Sequence, residues 1–126
     1  MKSKRKSKTF PQRGHVYLIR FDPARGREIK KTRPALIVSN NSMNEYASTV
    51  LVMPITSGRY NYYFRVPLKS PEGGLKKSSV IATEQVRAVD KQRIGKRLGK
   101  VRPLTMLEVE QAIRDHFGLP EGDVLE

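Results

Sequence analysis

Apolar residues in this chain come in short runs separated by turn residues, and the pattern changes character only once, near the C-terminus. His15-Val16-Tyr17-Leu18-Ile19-Arg20-Phe21 is rich in β-branched and aromatic residues and predicts a first strand, ended by Asp22-Pro23. A charged stretch, Gly26-Arg27-Glu28-Ile29-Lys30-Lys31-Thr32, then empties through Arg33-Pro34 into Ala35-Leu36-Ile37-Val38, which predicts a buried strand from Arg33 to Ser39. Asn40 to Asn44 has the composition of a turn. Thr49-Val50-Leu51-Val52-Met53 is apolar on both alternating faces, so it predicts a central strand, closed by Pro54 to Gly58. Tyr62 to Leu68 alternates well enough to predict a strand with one exposed face, and Pro71-Glu72-Gly73-Gly74 reads as a turn. Ser79–Ala82 and Gln85–Val89 predict two short strands or one kinked one, with a last strand inside Ile94–Val101.

The ending switches to helical spacing. Thr105 with Glu108 matches a capping box, and Val109, Ile113 and Phe117 repeat at i, i+4, i+8, flanked by Met106 and Ala112. Gly118 and Pro120 stop that helix. The expected fold is therefore mainly β with a C-terminal helix, a compact barrel or strongly bent sheet. The expected organisation is a disordered basic tail over residues 1–12, one domain over 13–119 and a short C-terminal tail over 120–126.

Charge adds a partner class. The chain of 126 residues carries 25 basic and 12 acidic groups, net +13. Residues 1–104 hold 24 basic and 6 acidic groups, whereas residues 105–126 hold 1 and 6. So basic a body attracts polyanions, and nucleic acid is the expected partner. Removing the five charges of residues 1–9 still leaves +8, so the tail is not the whole of it. A membrane surface is not expected, because no apolar stretch approaches the ~20 residues of a spanning helix and the one convincing helix is acidic rather than basic. The N-terminus has no apolar segment of the secretory kind, and a cytoplasmic protein is expected.

Composition also removes familiar chemistries. Without cysteine there is no thiolate site, and His15 and His116 lie too far apart in sequence, with no third histidine, to suggest zinc; neither a metal nor a cofactor is expected. No glycine-rich phosphate loop of P-loop spacing is present, and carboxylate pairs are absent outside the helix. Both histidines read first as structural residues. Arginine, hydroxyl and one isolated carboxylate remain. Arg33 sits where irregular chain meets rigid sheet, a place that fixes a side chain and still lets it reach a ligand. Glu28 reads either as a surface ion-pair partner or as a carboxylate positioning Arg33 or a ribose hydroxyl, and Thr56 either as a local turn residue or as a phosphate donor.

Five segments, in order, resemble the MazF/PemK family of toxins from toxin–antitoxin pairs: Arg13-Gly14-His15-Val16-Tyr17, Asp22-Pro23-x-x-Gly26-x-Glu28, Thr32 to Ser39, Pro54-Ile55-Thr56-Ser57 and Ser79 to Arg87. The resemblance covers roughly residues 12–118 and implies a small SH3-like barrel of the MazF/CcdB type, acting as a homodimer. It implies a metal-independent, sequence-selective endoribonuclease for single-stranded RNA, held by a cognate antitoxin. Arg33 and Thr56 fall on family catalytic positions, and Glu28 on a position near the active site. RNA contacts are then expected from Arg25, Arg27, Lys30, Lys31 and Ser57, with Glu84 and Gln85 reading base edges and Tyr60, Tyr62 or Phe64 stacking bases. His15 departs from the family's usual Asp, and the long basic tail is also unusual. A gyrase-poisoning toxin of the related fold and a non-catalytic RNA-binding barrel are the alternatives.

Overall fold

The structure, a computed structural model, describes residues 9–21, 31–57 and 64–120. Among them seven strands form one antiparallel sheet: β1 (His15–Arg20), β2 (Thr32–Ile37), β3 (Thr49–Thr56), β4 (Val66–Leu68), β5 (Ser79–Ile81), β6 (Arg87–Asp90) and β7 (Ile94–Lys100). Two α-helices join them, α1 (Asn41–Tyr46) and α2 (Pro103–Phe117). The order across the sheet is β4-β5-β3-β2-β1-β7, with β6 also on β3, and the sheet curls into a half-barrel. Among the described residues no helix is long and apolar enough to cross a membrane.

Alternation explains why the central strands read as unbroken apolar runs. Val16, Leu36, Val38, Met53 and Ile55 face one cluster, shared with β4, β5 and Val109 of α2. Ile19, Phe21, Ala35, Ile37, Val50 and Val52 face a second cluster on the other side, with Val89 of β6. Successive residues point to opposite faces, so strands buried on both sides must be apolar at every position.

β3 runs further than its sequence suggests, through Pro54 to Thr56. Its first half pairs with β6, from Thr49↔Asp90 to Val52↔Arg87, and its end pairs with β5 at Ile55↔Ile81 and Thr56↔Val80. Pro54 lies at the change of neighbour, where its carbonyl takes the N–H of Ala82 at 2.8 Å. A residue's N–H and C=O leave a strand on the same side, so the donor that proline lacks falls at the seam between β6 and β5, where no ladder bond is due.

Four other elements differ from the pattern. Asn40 to Asn44 is not a plain turn: Asn40 accepts the N–H of Met43 at 2.8 Å and starts α1, because an Asn at that position supplies the missing acceptor of a helix end. The strand expected from Tyr62 is only Val66–Leu68; Tyr62 lies outside the described residues, and Phe64 and Arg65 turn toward α2 and Glu84 instead of alternating. The N-cap of α2 is Arg102 rather than Thr105, since Pro103 takes the first helical position that suits its fixed φ. Thr105 is buried inside the first turn and donates to Glu72 Oε2 at 2.6 Å; the same oxygen accepts the N–H of Arg102 at 2.9 Å. Burial raises the Glu72 carboxyl, but these bonds and the charge of Arg102 outweigh it and hold it below the usual carboxylate range.

The inward face of α2 is Thr105, Val109, Ala112 and His116, spaced i, i+4, i+7, i+11, so Phe117 is rotated off it and is 63% exposed. The helix does end as its sequence indicates. Gly118 is left-handed at φ 67°, with its N–H on Asp115 O and that of Leu119 on Arg114 O. At the other end of the domain, Phe10 to Gln12 are half buried, and Gln12 Nε2 donates to Phe10 O at 3.0 Å, although the sequence places them in the tail.

Candidate active site

Arg33 is the second residue of β2 and pairs with Ile19 of β1. On its other edge β2 pairs with β3 only from Ala35↔Pro54 through Ile37↔Val52. Arg33 thus stands where β2 and β3 part, as β3 turns to β5. The same register, continued past Ala35 and Pro54, lines Arg33 up with Thr56. By alternation, both belong to the face that carries Ala35, Ile37, Val50 and Val52. Both are half buried. The segment entering β2 is pinched at its base by the N–H of Phe21 on Lys31 O at 2.9 Å. Lys31 itself has φ 69°, an uncommon left-handed conformation for a residue with a Cβ.

A pocket of about 240 Å³ opens at this parting, walled by Arg33, Pro34, Ile55, Ser57, Leu75, Lys76, Lys77 and Ser79. Thr56 is not among its walls, although the register sets it opposite Arg33. The structure therefore brings Arg33 and Ser57 together in one cavity and sets Thr56 beside them on the sheet. Lys76, Lys77 and Ser79 were not singled out from sequence. A signal was present: Lys76-Lys77-Ser78 leads into β5 much as Lys30-Lys31-Thr32 leads into β2, a basic pair and a hydroxyl at a strand entrance. The loop carrying the two lysines is braced. Leu75 is buried, its carbonyl takes the Ser70 hydroxyl at 2.8 Å, and Ser79 Oγ donates to Lys77 O at 3.0 Å. Three cations and two hydroxyls around one cavity suit an oxyanion such as a phosphate diester.

Other expected site residues lie elsewhere. Glu28, Arg25, Arg27 and Lys30 fall outside the described residues, as do Tyr60 and Tyr62. Lys31 is exposed beside the pocket entrance strand. Glu84 and Gln85 sit in the 3₁₀ turn before β6 and do not wall the Arg33 pocket. Arg65 Nε donates to both Glu84 oxygens, at 3.0 and 3.1 Å, and Nη2 joins the pair. Burial raises the Glu84 carboxyl, but the Arg65 bonds and local amide donors prevail and hold it low. Phe64 meets the His116 ring edge-on, centroids 4.9 Å apart. His116 Nε2 lies 2.9 Å from Thr83 Oγ1, and that hydroxyl already donates to Phe64 O at 3.1 Å, so the histidine must donate to it. His15 Nδ1 accepts from Arg97 Nε at 3.0 Å. Burial first, then the charges of Arg97 and Lys100, hold its pKa below the ordinary value. Both histidines are thus tied into the frame.

A curled antiparallel sheet, a closing C-terminal helix and a cationic cavity where two central strands part make a small half-barrel with an anion-binding mouth. The same architecture occurs in MazF from Deinococcus radiodurans, with a TM-score of 0.78 and 27% identity over 88% of this chain and 99% of that one. It occurs also in a mycobacterial endoribonuclease solved in complex with its cognate antitoxin, with a TM-score of 0.74 and 27% identity over 88% and 98%. The chain belongs to the PemK-like, MazF-like toxin family of type II toxin–antitoxin systems, whose family model matches residues 12–117. It is 35% identical over 114 residues to endoribonuclease MazF of Staphylococcus epidermidis, across 89% of this chain and 95% of the relative. To endoribonuclease MazF9 of Mycobacterium tuberculosis it is 31% identical, across 86% and 97%.

Proposed function

We propose that this toxin is an endoribonuclease that cuts single-stranded RNA at selected sequences without a metal ion, acts as a homodimer in the cytoplasm and is neutralised by a cognate antitoxin. The observation that carries the reading is Arg33 at the parting of β2 and β3, in one cavity with Lys76, Lys77, Ser57 and Ser79. Relatives named endoribonuclease support it.

RNA carries its own nucleophile. The 2′-OH attacks the adjacent phosphorus in line: the O2′–P bond forms as a base takes the hydroxyl proton, the P–O5′ bond breaks as O5′ takes a proton from Arg33, and the products are a 2′,3′-cyclic phosphate and a 5′-OH. The guanidinium of Arg33 forks onto two non-bridging oxygens and stabilises the charge they gain in the transition state. Thr56 donates its hydroxyl to the same phosphate. Arginine is a poor base, because a guanidinium holds its proton throughout the working pH range. Glu84 is committed to Arg65, and among the described residues no carboxylate walls the pocket. Glu28, in the segment whose base is pinched beside Arg33, is the assigned acceptor of the 2′-OH proton, and Arg25, Arg27, Lys30 and Lys31 track the flanking phosphates.

The test is cleavage of a long single-stranded RNA by purified protein in EDTA, with the cut ends mapped. Cleavage persists in EDTA, a 2′-deoxy sugar at the cut site abolishes it, and Arg33→Ala slows it by several orders of magnitude. A strict metal requirement, cutting at the deoxy position or a near-wild-type rate for Arg33→Ala would each overturn the reading.

A further inference from the structure

The cavity at Arg33 offers more than a phosphate needs. Pro34 and the buried Ile55 and Leu75 give it an apolar wall, against which an anion gains nothing and the flat face of a nucleobase gains contact. At about 240 Å³ it has room for a single base. Its polar groups come in two kinds. Lys76 and Lys77 only donate hydrogen bonds. A hydroxyl has one hydrogen, and that of Ser79 goes to Lys77 O at 3.0 Å, so toward the cavity Ser79 presents lone pairs alone. The loop that carries all three is held at one end by this bond and at the other by Leu75, whose carbonyl takes the Ser70 hydroxyl at 2.8 Å. A fixed acceptor thus stands among donors, and among the described residues no carboxylate, amide side chain or histidine walls the cavity.

We propose that this cavity is a base-reading subsite that selects uracil at a position next to the cut. The assignment rests on RNA being the substrate and names what the site prefers within it. Unpaired bases are read on their pairing edges, by the order of donors and acceptors there. Uracil runs carbonyl, N–H, carbonyl. Its two oxygens, O4 and O2, accept from the ammonium groups of Lys76 and Lys77, while N3–H donates to Ser79 Oγ. Cytosine replaces the first carbonyl by an amino group and the N–H by a bare nitrogen. A donor then meets an ammonium, and a lone pair meets a lone pair. Adenine makes the same two mismatches at N6 and N1. Guanine keeps one carbonyl beside an N–H but sets an amino group where uracil has its second oxygen, so it ranks between. A site built to pair a particular edge discriminates chiefly by the groups that a wrong edge leaves stranded. Lys77 and Ser79 are therefore specificity-determining residues, whereas Arg33 acts on the phosphate whichever base is bound.

Cut sites are mapped on a single-stranded RNA library with all four bases at every position, and kcat/KM is compared for the preferred site and the same site with cytosine in place of uracil. The proteins are wild type, Lys77→Met, Ser79→Ala and a control, Lys69→Met, whose lysine is exposed outside the cavity. In wild type one position beside the cut demands uracil and favours it over cytosine about thirtyfold. Lys77→Met and Ser79→Ala each bring that ratio below about fivefold, and Lys69→Met leaves it within about twofold. Loss of stability or of general affinity for RNA slows both substrates alike, so the ratio moves only through the base. Uncleavable 2′-O-methylated oligouridine and oligocytidine, compared by fluorescence anisotropy, repeat the comparison without catalysis. Tighter binding of oligouridine that Lys77→Met and Ser79→Ala erase sustains the subsite even in a protein that cuts nothing. Cleavage with no uracil-restricted position beside the cut, or a ratio unchanged in either variant, would overturn the subsite and leave the cleavage reading standing. Equal affinity for the two oligomers in a protein that cuts nothing would overturn both.

Discussion

Glu72 gives the most quantitative test of how the fold is held. One carboxylate oxygen receives both the Thr105 hydroxyl and the Arg102 N–H, and the other lies 3.3 Å from Arg102 Nε. Glu72→Ala leaves the Thr105 hydroxyl, whose residue is only 2% exposed, without that acceptor. A buried donor stranded in this way costs about 1–3 kcal/mol. Losing an anion at the N-terminus of α2 costs a further ~0.3–1 kcal/mol. The Arg102 ion pair contributes little, since that arginine side chain is 69% exposed. The expected loss is about 2–3 kcal/mol, or roughly 10 °C in Tm for a domain of this size. Glu72→Gln keeps an acceptor and loses the charge, so about 1 kcal/mol is expected. The folded carboxyl titrates below its unfolded value, so its contribution is present above about pH 4.3 and disappears as the pH falls through the lower folded pKa. Urea unfolding followed by circular dichroism at several pH values measures this. The gap between wild type and Glu72→Gln narrows as the pH falls below the unfolded value of about 4.3. A Glu72→Ala variant within 0.5 kcal/mol of wild type, or a gap that persists unchanged at pH 3, would refute the reasoning.

Two further outcomes follow from particular contacts. A Cβ on Gly74 would lie 1.9 Å from Leu98 O, with the backbone at φ 73°, so Gly74→Ala should lose about 3 kcal/mol or more by urea unfolding; a loss under 1 kcal/mol would show that the β7 backbone can yield there. Lys76→Ala with Lys77→Ala should raise KM for RNA about tenfold, hold kcat within about twofold and reduce the salt slope by about 1; a fall in kcat at unchanged KM would assign these lysines to the chemical step.

The strands were legible because burial on both faces demands apolar residues at every position, as Leu36 to Val38 and Val50 to Met53 show. Gly118 marked the end of α2 because only a left-handed residue closes it that way. The helix start is marked by Pro103, but Thr105 and Glu108 imitate a capping box; that Thr105 is committed to Glu72, and that His116 rather than Phe117 turns inward, depends on packing distant in sequence. Arg33 stood out by its place at a strand entrance. The walls contributed by Lys76, Lys77 and Ser79 depend on where the Gly73-Gly74 turn folds back, which local pattern does not encode. The facing of Arg33 and Thr56 depends on register, a relation between strands rather than within either.

A strand that serves three neighbours must interrupt its ladder somewhere, and β3 does so at Pro54. On its other edge the ladder with β2 ends at the same residue, so the opening beside Arg33 is set by the strands and needs no hinge. It also makes the site intolerant of length. One residue inserted between Ile55 and Thr56 would carry the threonine to the opposite face while Ile55 and the apolar residues before it kept their places. Such a variant would keep its core and present the phosphate with an arginine that has lost its companion.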